Sequence, residues 1–418
     1  MTTSSRQYEV VVFGATGFTG KYTCDHIVSD LPTDLKWAVA GRSADKLHQL
    51  VTELQSANPD RIAPEVETCA VDKSSLKALA AKTKVFISTV GPYAFYGEPA
   101  LAACAESGTH YLDVTGESPW IRDMIKKYDH VAKSNKAIII PQIGVESAPA
   151  DMLSWSVVTH ARRTLSSGVA ELIFSVYDMR GKPSGGTLAT VMGIFDAYPL
   201  KQIAEASKPW SLSAIPSPPQ ASVGTPLVQR LLGVRTVRDL GTLTTSLQGG
   251  ADATIVHRSW SLMDGGKFYG SRFRFSPYMH VRNAFTGIMV HFALVMGAIF
   301  LILPPMRWLM KSLVFQPGQG PSKEESKNDY IEYRALATVD SEADPRDPKR
   351  VTGRFSWQGS LYHLTGVFLA EAAATLARDE DFKAKEIGGG LLTPATLGAP
   401  FLERLQKAGV KVDVKVMP

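Results

Sequence analysis

The sequence predicts an α/β protein: a parallel sheet with helices on both faces, plus an inserted α+β domain whose sheet is mixed or antiparallel. Three observations carry that expectation. Residues 8–146 alternate short apolar runs with helix-forming stretches, the rhythm of a parallel sheet. The first of these runs breaks into glycines spaced three apart, Gly14, Gly17 and Gly20. Beyond residue 151, most strand candidates alternate apolar with polar residues, which marks a sheet with one wet face. A chain of 418 residues has room for two domains, or three.

In order, Val10–Phe13 reads as a strand buried on both faces, followed by a helix over Phe18–Ser29. Gly14 allows a tight turn, Gly17 lets backbone approach a pyrophosphate, and Gly20 lets helix pack on strand. With Thr16, Phe18 and Thr19 they form a candidate phosphate cradle at a helix start, the mark of a Rossmann-type nucleotide domain. A glycine-rich turn without a ligand is the alternative. Leu35–Ala40 is the second strand, and Ala44–Ala57 a helix with Leu47, Leu50, Val51 and Leu54 on one face. Strands follow at Val66–Asp72, Val85–Val90, Thr109–Val114 and Ala137–Ile143, with helices at Ser74–Lys82, Glu98–Ser107 and Pro119–Ser134.

The tip of the second strand is where such a site chooses its cofactor: an acid there holds the ribose hydroxyl of NAD, an arginine the 2′-phosphate of NADP. This chain has Arg42, with Ser43 beside it and Lys46 one turn on, so NADPH is expected ahead of NADH; a solvated surface arginine is the bland alternative. Ligands in open parallel sheets lie beyond the carboxyl ends of the strands. That rule nominates Val90–Tyr93, Val114–Glu117 and Ile143–Ser147, and the further cofactor contacts expected are Asp72, Thr89, Val90, Gly91, Pro92, Gly116 and Glu117.

From about Asp151 strands are expected at Val169–Tyr177, Ala253–Leu262, Phe268–Phe275, Tyr330–Val339 and Gly353–Trp357. The Pro- and Ser-rich stretch Ala204–Pro226 reads as a mobile surface excursion and Gln316–Asp329 as a polar loop. The C-terminal part predicts helices over Leu361–Arg378 and Ala399–Ala408 and a strand at Val410–Val416, returning to pack on the first domain. The division expected is 1–150, 151–360 and 361–418.

Ala284–Leu303 is twenty residues without a charge. It is long enough to cross a hydrocarbon core, and Arg282, Arg307, Trp308 and Lys311 flank it. A crossing would divide one domain between two sides of a bilayer. A monotopic apolar hairpin or surface-buried helix and a wholly internal helix therefore stand ahead of it.

Composition bounds the function. With 45 basic and 40 acidic residues, the net charge of +5 does not call for nucleic acid. Cys24, Cys69 and Cys104 form no C-x-x-C, and no H-E-x-x-H occurs, so neither a disulfide scaffold nor a metal site is expected. A reducing intracellular compartment suits them, and no secretory signal is visible in Met1–Arg6.

Several motifs together resemble the saccharopine dehydrogenase-like oxidoreductases, and more closely the branch of the trans-acting enoyl reductases and their animal and fungal relatives. They are Gly14-Ala-Thr-Gly-Phe-Thr-Gly20, Ala40-Gly-Arg-Ser43, Ser88-Thr-Val-Gly-Pro-Tyr93, Tyr96-Gly-Glu-Pro99, Tyr111-Leu-Asp-Val-Thr-Gly-Glu117 and Gly389-Gly-Leu-Leu-Thr-Pro-Ala395. The match is dense over residues 8–150 and the last forty. One departure is Gln142-Ile-Gly-Val-Glu-Ser-Ala-Pro-Ala-Asp151, where the family tends to show Cys-Gly-Phe-Asp-Ser-Ile-Pro-Ser-Asp. The resemblance implies a nucleotide domain, an inserted mixed-sheet domain and an NADPH-linked reduction. Some members act on polyketide or lipid intermediates, and others associate with lipid droplets, which would suit Ala284–Leu303. A lipophilic substrate, presented by a carrier or synthase, and a homodimer are expected partners.

The chemistry left open is hydride transfer to an enoyl or an imine acceptor. None of the thirteen tyrosines has Lys four residues later, so the proton donor usual in short-chain ketone reduction is missing. Tyr93 and Tyr96, at a strand tip, are candidates to contact substrate carbonyl or nicotinamide, with packing under a loop as the alternative. Asp151, with Glu117 and Glu146, can orient the ribose or relay a proton, or merely cap a helix. Competing readings are an amino-acid dehydrogenase of the saccharopine type, for which Arg162, Arg163, Arg258, Arg272 and Arg274 are the candidate carboxylate binders, and a non-catalytic scaffold on a lipid surface.

Overall fold

The computed structural model describes residues 6–182, 185–218, 226–307, 320–340 and 348–418. The first part of the chain runs β1 (Tyr8–Phe13), α1 (Phe18–Asp30), β2 (Trp37–Gly41), α2 (Ala44–Ala57), β3 (Glu65–Thr68), α3 (Lys73–Lys82) and β4 (Thr83–Ser88). It continues through α4 (Tyr93–Tyr96), α5 (Glu98–Ser107), β5 (His110–Asp113), α6 (Ser118–Ser134) and β6 (Ile138–Ile140). Then come α7 (Ala148–Leu165), β7 (Val169–Arg180), α8 (Gly185–Ala197), α9 (Leu200–Ala206), α10 (Leu227–Leu232), β8 (Val234–Val237) and β9 (Gly241–Thr245). They are followed by α11 (Gly249–Leu262), β10 (Arg274–Val281), α12 (Ala284–Ile302), β11 (Tyr330–Val339) and β12 (Arg350–Gln358). The tail supplies α13 (Leu361–Arg378), α14 (Lys383–Ile387), β13 (Gly390–Leu391), α15 (Gly398–Lys407) and β14 (Lys411–Val416).

The first sheet is parallel throughout, in the order β13-β6-β5-β4-β1-β2-β3. Because side chains alternate along a strand, each strand serves two cores. Val10, Val12, Val39 and Ile87 belong to one, while Val11, Phe13, Ala38 and Phe86 belong to the other. That is why these strands read as unbroken apolar runs. Strand order reverses between β1 and β4, so the tips of these two strands flank the crevice where an open α/β sheet takes its ligand.

The second sheet has the order β14-β12-β11-β7-β10-β9-β8 and is mixed, with β7 and β10 parallel and its other neighbours antiparallel. Helices α7 and α11 join its strands in one core, where Phe174 stacks on Tyr333 and tilts against Phe275. The tail serves both sheets. Helix α13 packs on α1, with Gly366 so close that a Cβ there would lie 2.8 Å from the Tyr22 backbone. Strand β13 extends the first sheet beside β6, whereas β14 pairs with β12 of the second.

Three expectations are corrected. Ala253–Leu262 is helical, the body of α11: every residue from Asp252 to Ser261 is buried, polar ones such as His257 and Arg258 included, so neither face of the helix is wet and no helical period shows. The strand expected at Phe268–Phe275 starts only at Arg274, because Gly270 adopts a φ of +140° in the turn before it. The first half of Ala204–Pro226 is packed against the protein: Leu212 is buried, its carbonyl accepts from Arg258, and the Pro209 carbonyl meets His257. Residues 219–225 of that stretch, and 316–319 of the second expected loop, lie outside the described residues.

Candidate active site

At the end of β1 the chain turns through Gly14, whose φ is +86° and whose missing Cβ would lie 2.8 Å from the Thr89 hydroxyl and from a Val90 methyl. No larger residue fits between the tips of β1 and β4. Gly17 caps α1 with extended backbone, and no side chain satisfies the amides of the first turn, Phe18, Thr19 and Gly20. A Cβ at Gly20 would come within 2.3 Å of the Gly14 carbonyl, so glycine is what lets the helix start this close to the strand. Free amides and the positive end of a thirteen-residue helix, both aimed at the crevice, suit a pyrophosphate. Thr16 lies half-buried within the turn.

Arg42, directly after β2, is exposed and has no ion pair among the described residues. Ser43 caps α2 by accepting from the Lys46 amide, which brings Lys46 onto the same rim as Arg42. Asp72 is occupied differently: its Oδ1 accepts from the Ser74 hydroxyl at 2.6 Å and from the Ser74 and Ser75 amides at the start of α3, and the hydroxyl first, then the amides, hold the carboxyl down to about 2. The Thr89 hydroxyl donates to the Phe13 and Gly14 carbonyls and so fastens the two strand tips together. Gly91 and Pro92 lead from there into α4.

The two tyrosines part company. Tyr93 is buried, and its hydroxyl donates to the Ser88 carbonyl and accepts from the Val114 amide, so both its hydrogen-bonding roles are taken beneath the strand ends. This placement fits packing under a loop rather than substrate contact. Tyr96 stands at the lip of the crevice beside Phe95, each half exposed. Glu117 accepts from the Tyr93 and Ala94 amides at 2.7 and 2.8 Å, so it caps α4. Burial nevertheless raises its carboxyl. Gly116 leaves open a space 3.1 Å from Glu146 Oε2.

Three buried acids, Asp113, Asp151 and Asp252, lie near the strand tips together with the exposed Glu146. Asp151, on α7, accepts from Ser259 of α11 (2.5 Å) and from the Ala395 amide (2.8 Å), with burial pushing its carboxyl up to about 7. It pins two helices to the Gly-Gly-Leu-Leu-Thr-Pro loop and does not reach the crevice surface. Asp113, at the tip of β5, accepts from the Thr115 and Gln142 amides and from Tyr111, and burial raises it to about 7 as well. Glu146 is open to solvent, with its Oε2 3.1 Å from where a Cβ on Gly116 would stand, and desolvation raises its carboxyl. Asp252, in the first turn of α11, is buried with neither carboxylate oxygen in hydrogen-bond geometry, although Gln248 lies close. Desolvation first, and then the charge of Glu146, raise it well above the usual carboxylate range. The Tyr333 hydroxyl of β11 donates to the Val145 carbonyl and closes the same junction. Glu146 could be read from its strand tip. Asp252 was not singled out: it stands just before Ala253–Leu262, the stretch that reads as a strand.

A cavity of about 680 Å³ lies between α1, α2 and residues 320–323, lined by Phe18, Tyr22, Leu50 and Leu54 among others. It runs down the helices away from the strand tips and the buried acids, so it is not the site of the chemistry.

This crevice places the chain among the NADP-dependent oxidoreductases, and the profile of the saccharopine dehydrogenase NADP binding domain matches residues 10–140. A putative trans-acting enoyl reductase of Mycobacterium tuberculosis is 30% identical over 428 residues, 99% of either chain. A trans-acting enoyl reductase of Mycobacterium ulcerans is also 30% identical, over 439 residues and 99% of each. The chain belongs to this family. Among solved structures, saccharopine dehydrogenase (L-Glu forming) of Saccharomyces cerevisiae superposes with a TM-score of 0.53 at 12% identity, over 98% of this chain and 99% of that one. At that identity the likeness concerns the fold alone.

Proposed function

We propose that this chain reduces the carbon–carbon double bond of a lipophilic enoyl compound. NADPH supplies the hydride when bound, and the residues of the chain do the rest. The uncapped first turn of α1 holds the pyrophosphate and Arg42 pairs with the 2′-phosphate, with Ser43 and Lys46 on the same rim. Hydride arriving at the β-carbon leaves an enolate, whose α-carbon takes a proton. Asp252, whose carboxyl burial raises well above the usual carboxylate range, supplies that proton, and solvent-exposed Glu146, whose charge acts on Asp252, returns one from solvent. The exposed pair Phe95 and Tyr96 offers an apolar lip to a lipophilic acceptor.

The observation that carries the reading is the uncapped, glycine-lined helix start beside an unpaired arginine. Support for an enoyl rather than an amino-acid substrate comes from the relatives' names and from the arginines themselves. Four of the five candidates are engaged: Arg258 with the Leu391 and Leu212 carbonyls, Arg272 with Asp340, Arg274 with Glu171 and Arg162 with the Lys267 and Phe268 carbonyls, while Arg163, near the end of α7, is exposed without an ion pair among the described residues. A saccharopine-type reaction would want such cations free for carboxylates.

The test is loss of NADPH absorbance with purified protein against enoyl, imine and keto compounds of increasing chain length. Turnover of long-chain enoyl substrates is expected. Turnover confined to imines, or no NADPH-dependent turnover in the whole panel, contradicts the reading.

A further inference from the structure

Helix α12 is 19 residues long with a mean hydropathy of 2.3, and only 6% of it is buried. Phe285, Met289, Phe292, Val295, Met296 and Ile299 all stand in the open. Such a surface is not sustained by water alone. Beside it lies α10, whose Leu227, Val228, Leu231 and Leu232 are likewise exposed. The helix is nevertheless built in rather than loose. Asn283 caps its start, Thr244 donates to the Gly287 carbonyl at 2.8 Å, and Thr245 meets His291 at 2.8 Å. Gly287 lets the helix lie directly on Val234 and Val281.

Length and composition alone would allow the helix to cross a bilayer; its two ends do not. The first end is seated on β9 of the second sheet. Just past the second end, Arg307 pairs with Asp196 of α8 at 3.4 Å and stacks over Phe195. Helix α8 in turn reaches the crevice lip, where Gly193 packs against Phe95 and Pro92. Both ends are therefore held to one body, and the helix lies along it.

The charges around this face identify what covers it. Arg230 of α10, Arg238 in the β8–β9 turn and Arg282 before α12 are exposed and have no ion pair among the described residues. The backbone brings the last two together, since Val281 pairs with Thr242 and Val237 with Gly241. An apolar helix bordered by unpaired arginines fits acyl chains under an anionic headgroup layer.

We infer that α10 and α12 form a monotopic docking surface for an anionic phospholipid leaflet. The apolar face enters the acyl region, the three arginines meet the headgroups, and α8 links this face to the Phe95–Tyr96 lip of the crevice. The inference stands independently of the reductase reading, since docking needs neither NADPH nor substrate.

The experiment is flotation of the full chain with vesicles of phosphatidylcholine alone or mixed with phosphatidylglycerol. The protein is expected to float with both and more strongly with the anionic mixture. Phe292→Asp with Met296→Asp should abolish flotation, while NADPH binding, read separately, is kept. Replacing Arg230, Arg238 and Arg282 by Ala should cut partition onto anionic vesicles roughly a hundredfold and leave neutral vesicles unaffected. Hydrogen–deuterium exchange on the unmutated protein gives a second reading that needs no variant: anionic vesicles should slow exchange in residues 227–232 and 284–302. Protein that stays at the bottom of the gradient with both vesicles overturns the inference. So does a dimer that covers α12 in solution, breaks with Phe292→Asp and never floats.

Discussion

Asp151 and Asp252 sit on neighbouring helices, both wholly buried and both with raised carboxyls, and they are not alike. Asp151 has a hydroxyl on one oxygen and an amide on the other, and these bonds bridge α7, α11 and the loop before α15. Asp252 has no such bonds among the described residues: burial raises its carboxyl most, the nearby Gln248 side chain opposes that rise, and the charge of solvent-exposed Glu146 adds to it. A buried acid with its bonds made is a fastening. A buried acid without them costs the fold stability and is kept where a reaction uses it. The same contrast separates Tyr93, whose hydroxyl is fully engaged below the strand ends, from Tyr96 at the lip.

The largest effect that sharpens this contrast is on turnover. If Asp252 is the proton donor, as proposed, Asp252→Asn should lower kcat by roughly a hundredfold or more with KM little changed, because the acid is gone while the side chain keeps its shape. Its thermal midpoint should stay level or rise, since an orphan acid has been removed. A fall in stability with unchanged kcat would make Asp252 structural. Asp151→Ala should do the reverse, costing about 1–3 kcal/mol in denaturant unfolding by leaving the Ala395 amide and Ser259 without their acceptor. Activity per folded molecule should change little. The smallest effect is on the pH dependence of stability. Asp151 has a folded value of about 7 against about 4 when unfolded, so the folded state binds the extra proton between those values. Its contribution is fully present below about pH 4 and is lost as pH rises to about 7. Asp151→Asn should flatten that limb of a stability-against-pH curve.

What could be read without coordinates follows from how each region is buried. The first sheet is covered on both faces, so its strands appear as apolar runs, and the amphipathic helix Ala44–Ala57 shows its bounds residue for residue. The helices Glu98–Ser107 and Leu361–Arg378 end where expected as well, before Gly108 and Asp379. Periodicity fails where a helix has no wet side: Thr254, Ile255 and Val256 are β-branched and buried, and they imitate a strand. Asp252, just before that stretch, was not singled out. At the crevice the tight turn at Gly14 and the close approach at Gly20 were legible because they depend on backbone space alone. The uses of Tyr93, Glu117 and Asp151 depend on partners far along the chain, and local pattern does not show those.

The central claim is that the amides opening α1 and the free guanidinium of Arg42 together hold NADPH. It is tested most directly by calorimetric titration of NADPH and NADH into the unaltered protein and into Arg42→Ala. The substitution should weaken NADPH by roughly 10- to 100-fold, the worth of one charged hydrogen-bonded pair, and leave NADH where it was. Equal losses for both cofactors, or no change for either, would contradict the account.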